Sequence, residues 1–173
     1  MSLRLAIDLL TSSHGLLQFL YVFAHWRRTE SMPNTSFASE PALAAYVATG
    51  LRSRDARSSL AQVITRLFEH WNLAGVDQAA LLGLSSQSRS AIAGYRRGEP
   101  LADSADLLAR AGHLLGIHKA LRIIFPHDRD LAYRWVTTPN RRFDGNTPLA
   151  VMLKYGFEGI LAVRRYLDFE RGR

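Results

Sequence analysis

The sequence predicts an all-α protein, and three observations predict it. Apolar residues recur along single helix faces, most clearly Leu60, Val63, Ile64, Leu67, Phe68 and Trp71, spaced i, i+3, i+4, i+7, i+8 and i+11. No stretch alternates apolar and polar residues strongly enough to read as a strand. The periodic segments are bounded by the residues that start and stop helices: Ser, Thr and Asp before them, Gly and Pro after them. At 173 residues and 47% hydrophobic content the chain supports one ordinary domain or two small ones, and wholesale disorder is excluded.

Charge and cysteine usage narrow the function classes. The net charge of +7 favours an anionic partner, but it is spread evenly. Residues 1–58 carry 6 basic and 4 acidic groups, residues 59–125 carry 7 and 5, and residues 126–173 carry 9 and 6. With no polybasic tail, any nucleic-acid contact must come from a local patch. The absence of cysteine excludes a disulfide scaffold and thiolate metal sites and fits a reducing cytoplasm.

Residues 1–31 stand apart. Leu16 to Ala24 is an apolar run followed by His25-Trp-Arg-Arg28, shorter than the ~20 residues a membrane span needs. Asp8 and the bulky His25-Trp26 fit a secretory signal badly. The preferred expectation is an over-extended start, with Met32 the ordinary one, and a weak interfacial or partner helix is second. Residues 32–58 read as a mobile basic linker carrying Arg52, Arg54 and Arg57, with two helical turns over Glu40–Val47.

From Ser59 to Trp71 the spacing gives a helix, broken at Gly75. Asp77 is expected to cap a short helix over Gln78–Leu82 closed by Gly83, and Ser85 or Ser86 a third helix running to Arg96 or Arg97. Short helix, glycine-containing turn, capped helix is the helix-turn-helix order, though any three-helix cluster can produce it. Ser86, Gln87, Ser88 and Arg89 lie where a recognition helix meets base edges, and Gln and Arg suit adenine and guanine. Ile92 should face the core. Arg96 and Arg97 are placed for phosphates, or equally to complement the helix dipole.

Asp103 or Ser104 should start a long apolar helix through Leu107, Ala111, Leu115 and Leu121 to Phe125, with Gly112 and Gly116 permitting close packing or a break. Asp130 to Val136 has helical spacing, with Leu131 and Trp135 on one face. Pro139 ends that helix and pushes Thr138 towards extended geometry. Asp144-Gly145 is a turn, and Thr147-Pro148 pairs a capping hydroxyl with a proline at the first helical position. A two-turn helix to Lys154, a turn at Tyr155-Gly156 and a last helix over Phe157–Glu170 follow. Its Ile160, Val163 and Leu167 make a buried stripe. Arg164, Arg165, Arg171 and Arg173 fall largely outside that stripe, available to a partner or merely offsetting the dipole. Trp135 is either a core anchor or part of a binding surface.

The stretch Tyr133-Arg-Trp-Val-Thr-Thr-Pro-Asn140, then Gly145-Asn-Thr-Pro-Leu149 and a final amphipathic helix, closely resembles the C-terminal toxin-binding domain of the Xre/MbcA/ParS antitoxins. The resemblance extends back to about Ser59, where such antitoxins carry an Xre-like helix-turn-helix, and Gly98-Glu-Pro100 matches the segment after its third helix. It implies an Xre-like domain with dimerisation helices over residues 59–125 and a small helical toxin-binding domain over residues 126–173. Tyr133, Arg134, Trp135 and Asn140 become toxin-contact candidates on that resemblance, beside Arg164, Arg165, Arg171 and Arg173. It further implies a cytoplasmic homodimer that sterically blocks a RES-domain, NAD-consuming toxin and binds its own operator DNA. The alternative is a free-standing transcription regulator whose C-terminal domain only dimerises, and a third is a membrane-associated regulator held by residues 1–31.

Nothing in the sequence supports catalysis. The six histidines, at 14, 25, 70, 113, 118 and 127, lack zinc-site spacing, so no metal is expected. There is no phosphate loop and no nucleophile elbow, and no cofactor is expected. Asp128 and Asp130 are explained as acids at a helix N-terminus.

Overall fold

Pro139 and Gly156 divide the C-terminal third of the chain where their backbone chemistry requires, and the rest of the helical architecture is arranged around that division. The computed structural model describes residues 50, 52–85 and 88–172. The extension 1–31, the expected helix over Glu40–Val47, and the candidates Ser86, Gln87 and Arg173 lie outside the described residues, as does the side chain of Arg89. Six α-helices make up the described part: α1 (Arg54–His70), α2 (Gly75–Leu81), α3 (Arg89–Arg96), α4 (Ala105–Ile124), α5 (Arg129–Arg134) and α6 (Pro148–Arg171). Short 3-10 turns occupy Trp135–Thr137 and Arg141–Phe143, and no strand occurs among the described residues. The fold is all-α.

Helix α1 begins five residues earlier than the Ser59 start expected, inside the segment read as linker. Ser53 caps it, its hydroxyl accepting from the Ala56 N–H at 3.2 Å. Arg57 is not a mobile linker residue: its guanidinium donates to the carbonyls of Leu101 and Arg52. Arg52 pairs with Asp103. The basic residues thus tie the start of α1 to the loop before α4.

Helix α2 starts at Gly75 rather than after Asp77, so Asp77 sits in its first turn, where a carboxylate meets the dipole, and caps nothing. Gly83 closes it with φ +72°, and the Leu84 N–H returns to the Ala79 carbonyl at 2.9 Å. Helix α3 starts later than expected. Ser85 and Ser88 spend their hydroxyls on each other at 3.0 Å, and the Ser88 N–H closes a turn on the Ser85 carbonyl. The helix opens at Arg89 without a side-chain cap. Ile92 faces the core as expected.

Helix α4 is continuous across Gly112 and Gly116, capped by Ser104. Asp128 caps α5, accepting from the Leu131 N–H at 2.8 Å. That helix tightens into the 3-10 turn at Trp135, and Thr138 is extended (φ −96°, ψ 134°) before Pro139. Leu131 does not share a buried face with Trp135: it is exposed, while Ala132 and Val136 are buried. Asp144 and Gly145 both adopt positive φ, and the Thr147 hydroxyl caps α6 at the Ala150 N–H, 3.0 Å away. Within α6, Gly156 (φ 58°, ψ −128°) breaks the helix into 148–155 and 157–171. The break folds the two parts together so closely that a Cβ on Gly159 would strike the backbone of Val151 and Met152.

One core runs through both halves. Helices α1, α2 and α3 pack on Ile64, Phe68, Trp71, Leu81 and Ile92, and α4 carries that core onward through Leu114, Ile117 and Leu121. Helix α6 lies along α4 and also meets α2, burying Met152, Ile160, Val163 and Leu167. Among the described residues, α1–α3 and the C-terminal half are therefore one hydrophobic unit.

Candidate partner-binding surfaces

The first candidate surface is α3 and what holds it. Gln78 is buried in α2, yet it is fully used: its amide N donates to the Leu73 carbonyl at 2.8 Å and its Oε1 accepts from Arg96 at 3.1 Å. Arg96 also reaches Glu69 of α1 at 3.4 Å. Arg97 pairs with Glu99 at 2.8 Å. Both arginines expected at phosphates are engaged within the protein, and Arg96 joins the end of α3 to α1 and α2. Ser88 is half-buried, and Arg89 is the first residue of α3.

The second surface is the seam between the halves. His70, the last residue of α1, stacks on Tyr133 of α5 with centroids 4.5 Å apart and planes 7° from parallel. His118 of α4 stacks on the same ring at 5.5 Å and 6°. Burial lowers the His118 imidazole to a pKa of about 4, with Arg122 and then His70 adding to the effect, so it is neutral near pH 7. Tyr133 thus stacks with residues of two helices, α1 and α4. An open groove beside it is lined by Glu69, His70, Arg129, Asp130, Tyr133 and Arg134. Of these only Tyr133 and Arg134 were candidates from the sequence.

The third surface is the C-terminal domain itself. Trp135, Phe143 and Tyr166 form a half-buried trio: Trp135 lies nearly parallel to Tyr166 at 6.2 Å, and Phe143 stands edge-on to both at 6.4 and 5.5 Å. Trp135 therefore anchors the turn to α6 and still shows part of its ring. Asn140 is structural. Its Oδ1 accepts from the Arg142 N–H at 2.9 Å, and its backbone bonds both Gly145 and Asn146.

The arginines of α6 divide. Arg165 is exposed. Arg164, expected to be available to a partner, is not: its side chain is 14% exposed, its Nε donates to Asp168 at 2.8 Å, and its guanidinium lies on Gly116 of α4. The missing Cβ at Gly116 is what admits it, so the helical stripe alone misplaced this residue. Arg171 is also partly covered and lies 3.7 Å from Asp168.

The comparisons decide what this domain is. Residues 120–173 match the antitoxin Xre/MbcA/ParS C-terminal toxin-binding domain. The chain is also 40% identical over 108 residues to an uncharacterized protein, y4oB, of Sinorhizobium fredii (strain NBRC 101917 / NGR234). That similarity spans 62% of this chain and 80% of the relative. The chain belongs to the Xre/MbcA/ParS antitoxin family.

In this antitoxin the match begins at Ala120, inside α4, so the seam histidine His118 lies just before it and Tyr133 within it. No group of residues suited to hold a metal ion occurs among the described residues. No described helix is long and apolar enough to cross a membrane. Sequence reasoning missed Phe143 and Tyr166, although a signal was there: Arg134-Trp135, Arg142-Phe143 and Arg165-Tyr166 repeat one arginine–aromatic dipeptide.

Proposed function

We propose that this antitoxin neutralises a RES-domain, NAD-consuming toxin by covering its active-site cleft with the domain over residues 120–173. We further propose that it binds its own operator through α3 and represses its operon, working in the cytoplasm as a homodimer within the toxin–antitoxin complex. The observation that carries this reading is the toxin-binding family domain, fused through a continuous core to a short-helix, turn, helix unit. In that unit Ser88 and Arg89 stand at the N-terminus of α3, the end from which a recognition helix reads bases.

The test pairs the full chain with the product of the adjacent gene, expected on this reading to be a RES-domain toxin. Co-expression should preserve cellular NAD, and the two proteins should co-purify. Arg89→Ala should weaken operator binding by ~1–3 kcal/mol if Arg89 reads a base edge, while neutralisation persists. A chain that binds operator but neither co-purifies with the toxin nor preserves NAD is the free-standing regulator instead. Normal operator affinity in the Arg89→Ala protein would move the DNA contact away from α3.

A further inference from the structure

Four arginines are close sequence neighbours of the aromatic trio. Arg134 precedes Trp135, Arg141 and Arg142 precede Phe143, and Arg165 precedes Tyr166, so each backbone position lies one or two residues from a ring of the trio. All four are exposed, and none takes part in any ion pair among the described residues. Exposed Arg54, Arg66 and Arg129 likewise take part in no ion pair, whereas Arg52, Arg96, Arg97, Arg110, Arg164 and Arg171 find acids; what sets these four apart is their position beside the trio. Asp144 lies in the same loop as Arg141 and Arg142, and Arg134 also lines the groove that holds Glu69 and Asp130.

The loop presenting two of these arginines is held rigidly. Asn140 accepts from the Arg142 and Gly145 N–H groups, the Asn146 side chain donates to the Phe143 carbonyl at 2.9 Å, and Asp144 and Gly145 complete the turn at positive φ. Arginines on a pre-ordered loop lose little backbone entropy on binding, and their planar guanidinium groups suit bidentate pairing with carboxylates. Arginine and aromatic residues together are also the composition of an interface centre.

We infer that this aromatic patch, with the exposed arginines that flank its rings along the chain, is the face on which the antitoxin grips an acidic surface of its toxin. The inference rests on the toxin-binding reading above and adds the chemistry of the partner. A protein fits better than a nucleic acid. The rings are packed on one another, Trp135 along Tyr166 with Phe143 edge-on, and do not form the splayed platform on which unstacked bases sit. The partner's carboxylates meet the four guanidinium groups while an apolar side chain covers the exposed part of the trio. Arg164, closed against Gly116, takes no part.

The experiment uses the full chain, the adjacent gene's product as the toxin of the reading above, and a variant carrying Arg134→Glu, Arg141→Glu, Arg142→Glu and Arg165→Glu. Arg66→Glu, an exposed position on α1, is the control. Toxin affinity should fall by about 100-fold in the four-fold variant, its salt dependence should flatten, and the control should match the parent. Binding to a DNA duplex of arbitrary sequence should stay unchanged, and the melting temperature should stay within a few degrees. If charge reversal prevents folding, the four Arg→Gln changes replace it, with the same direction expected. Unchanged toxin affinity in the variant overturns the inference and leaves the antitoxin reading standing. Loss of duplex binding with intact toxin binding also overturns it and gives the patch to phosphates. A parent chain that forms no toxin complex removes the reading on which the inference stands.

Discussion

The imidazole of His70 and the phenol of Tyr133 lie 4.5 Å apart and within 7° of parallel, joining the last residue of the first helix to the toxin-binding domain. The preceding residue, Glu69, holds Arg96 at the end of α3. Two successive residues of α1 thus touch α3 and the toxin-binding domain. His118 of α4 also stacks on the Tyr133 ring, so residues of α1 and α4 both meet it.

Tyr133→Ala should therefore weaken the whole molecule rather than one half. Aromatic pairs contribute roughly 0.5–1.5 kcal/mol each, and lost ring burial adds to the two removed here, giving a destabilisation of about 2–3 kcal/mol. Because the core is continuous, urea unfolding should remain a single transition with a lower midpoint. Two resolved transitions would show instead that the seam, and not the shared core, couples the halves.

Much of this was legible in the sequence because local chemistry decided it. Pro139 ended its helix with Thr138 extended, Thr147-Pro148 started α6, and Gly156 broke it, since each residue acts on its own backbone. Helix starts that depend on distant partners were misjudged. The α1 start is stabilised by the bond from Arg57 to the Leu101 carbonyl, 44 residues away, and no local pattern announces it. The site shows the same division. Trp135 stood out by its motif, whereas Phe143 and Tyr166 joined it only through tertiary packing. The burial of Arg164 required knowing that Gly116 lay beneath it.

That contact gives a prediction with a change of sign. Alanine is a better helix former than glycine by ~1 kcal/mol, so Gly116→Ala should stabilise α4 if nothing opposed it. In the wild-type chain the new methyl collides with the Arg164 guanidinium, which is buried and tethered to Asp168. Gly116→Ala should then cost about 1 kcal/mol net, within the range for overpacked sites. In an Arg164→Ala background the same change should stabilise by up to ~1 kcal/mol. The cycle is read from denaturation midpoints, and additive effects would refute the contact as the reason for the glycine.

The last prediction concerns pH. His118 has its pKa lowered from 6.5 to about 4, first by burial, then by Arg122, then by His70. His113 is lowered in the same direction by burial and Arg164, with Asp168 opposing. A depressed folded-state pKa means that the unfolded chain binds the proton more readily between the two values. The contribution of His118 to stability is thus fully present above pH 6.5, declines as the pH falls, and is exhausted below about 4. Carboxylates protonate over the lower part of this window as well, so wild-type melting alone cannot assign the loss. His118→Phe keeps an aromatic ring against Tyr133 and removes the titration. The difference in melting temperature between wild type and this variant, followed from pH 7.5 to 4, should shift steadily in favour of the variant on acidification. Parallel curves across that range would show that His118 carries no such burden. A residual slope in the variant belongs to His113 and the carboxylates, and His113→Phe in the same background should reduce it further.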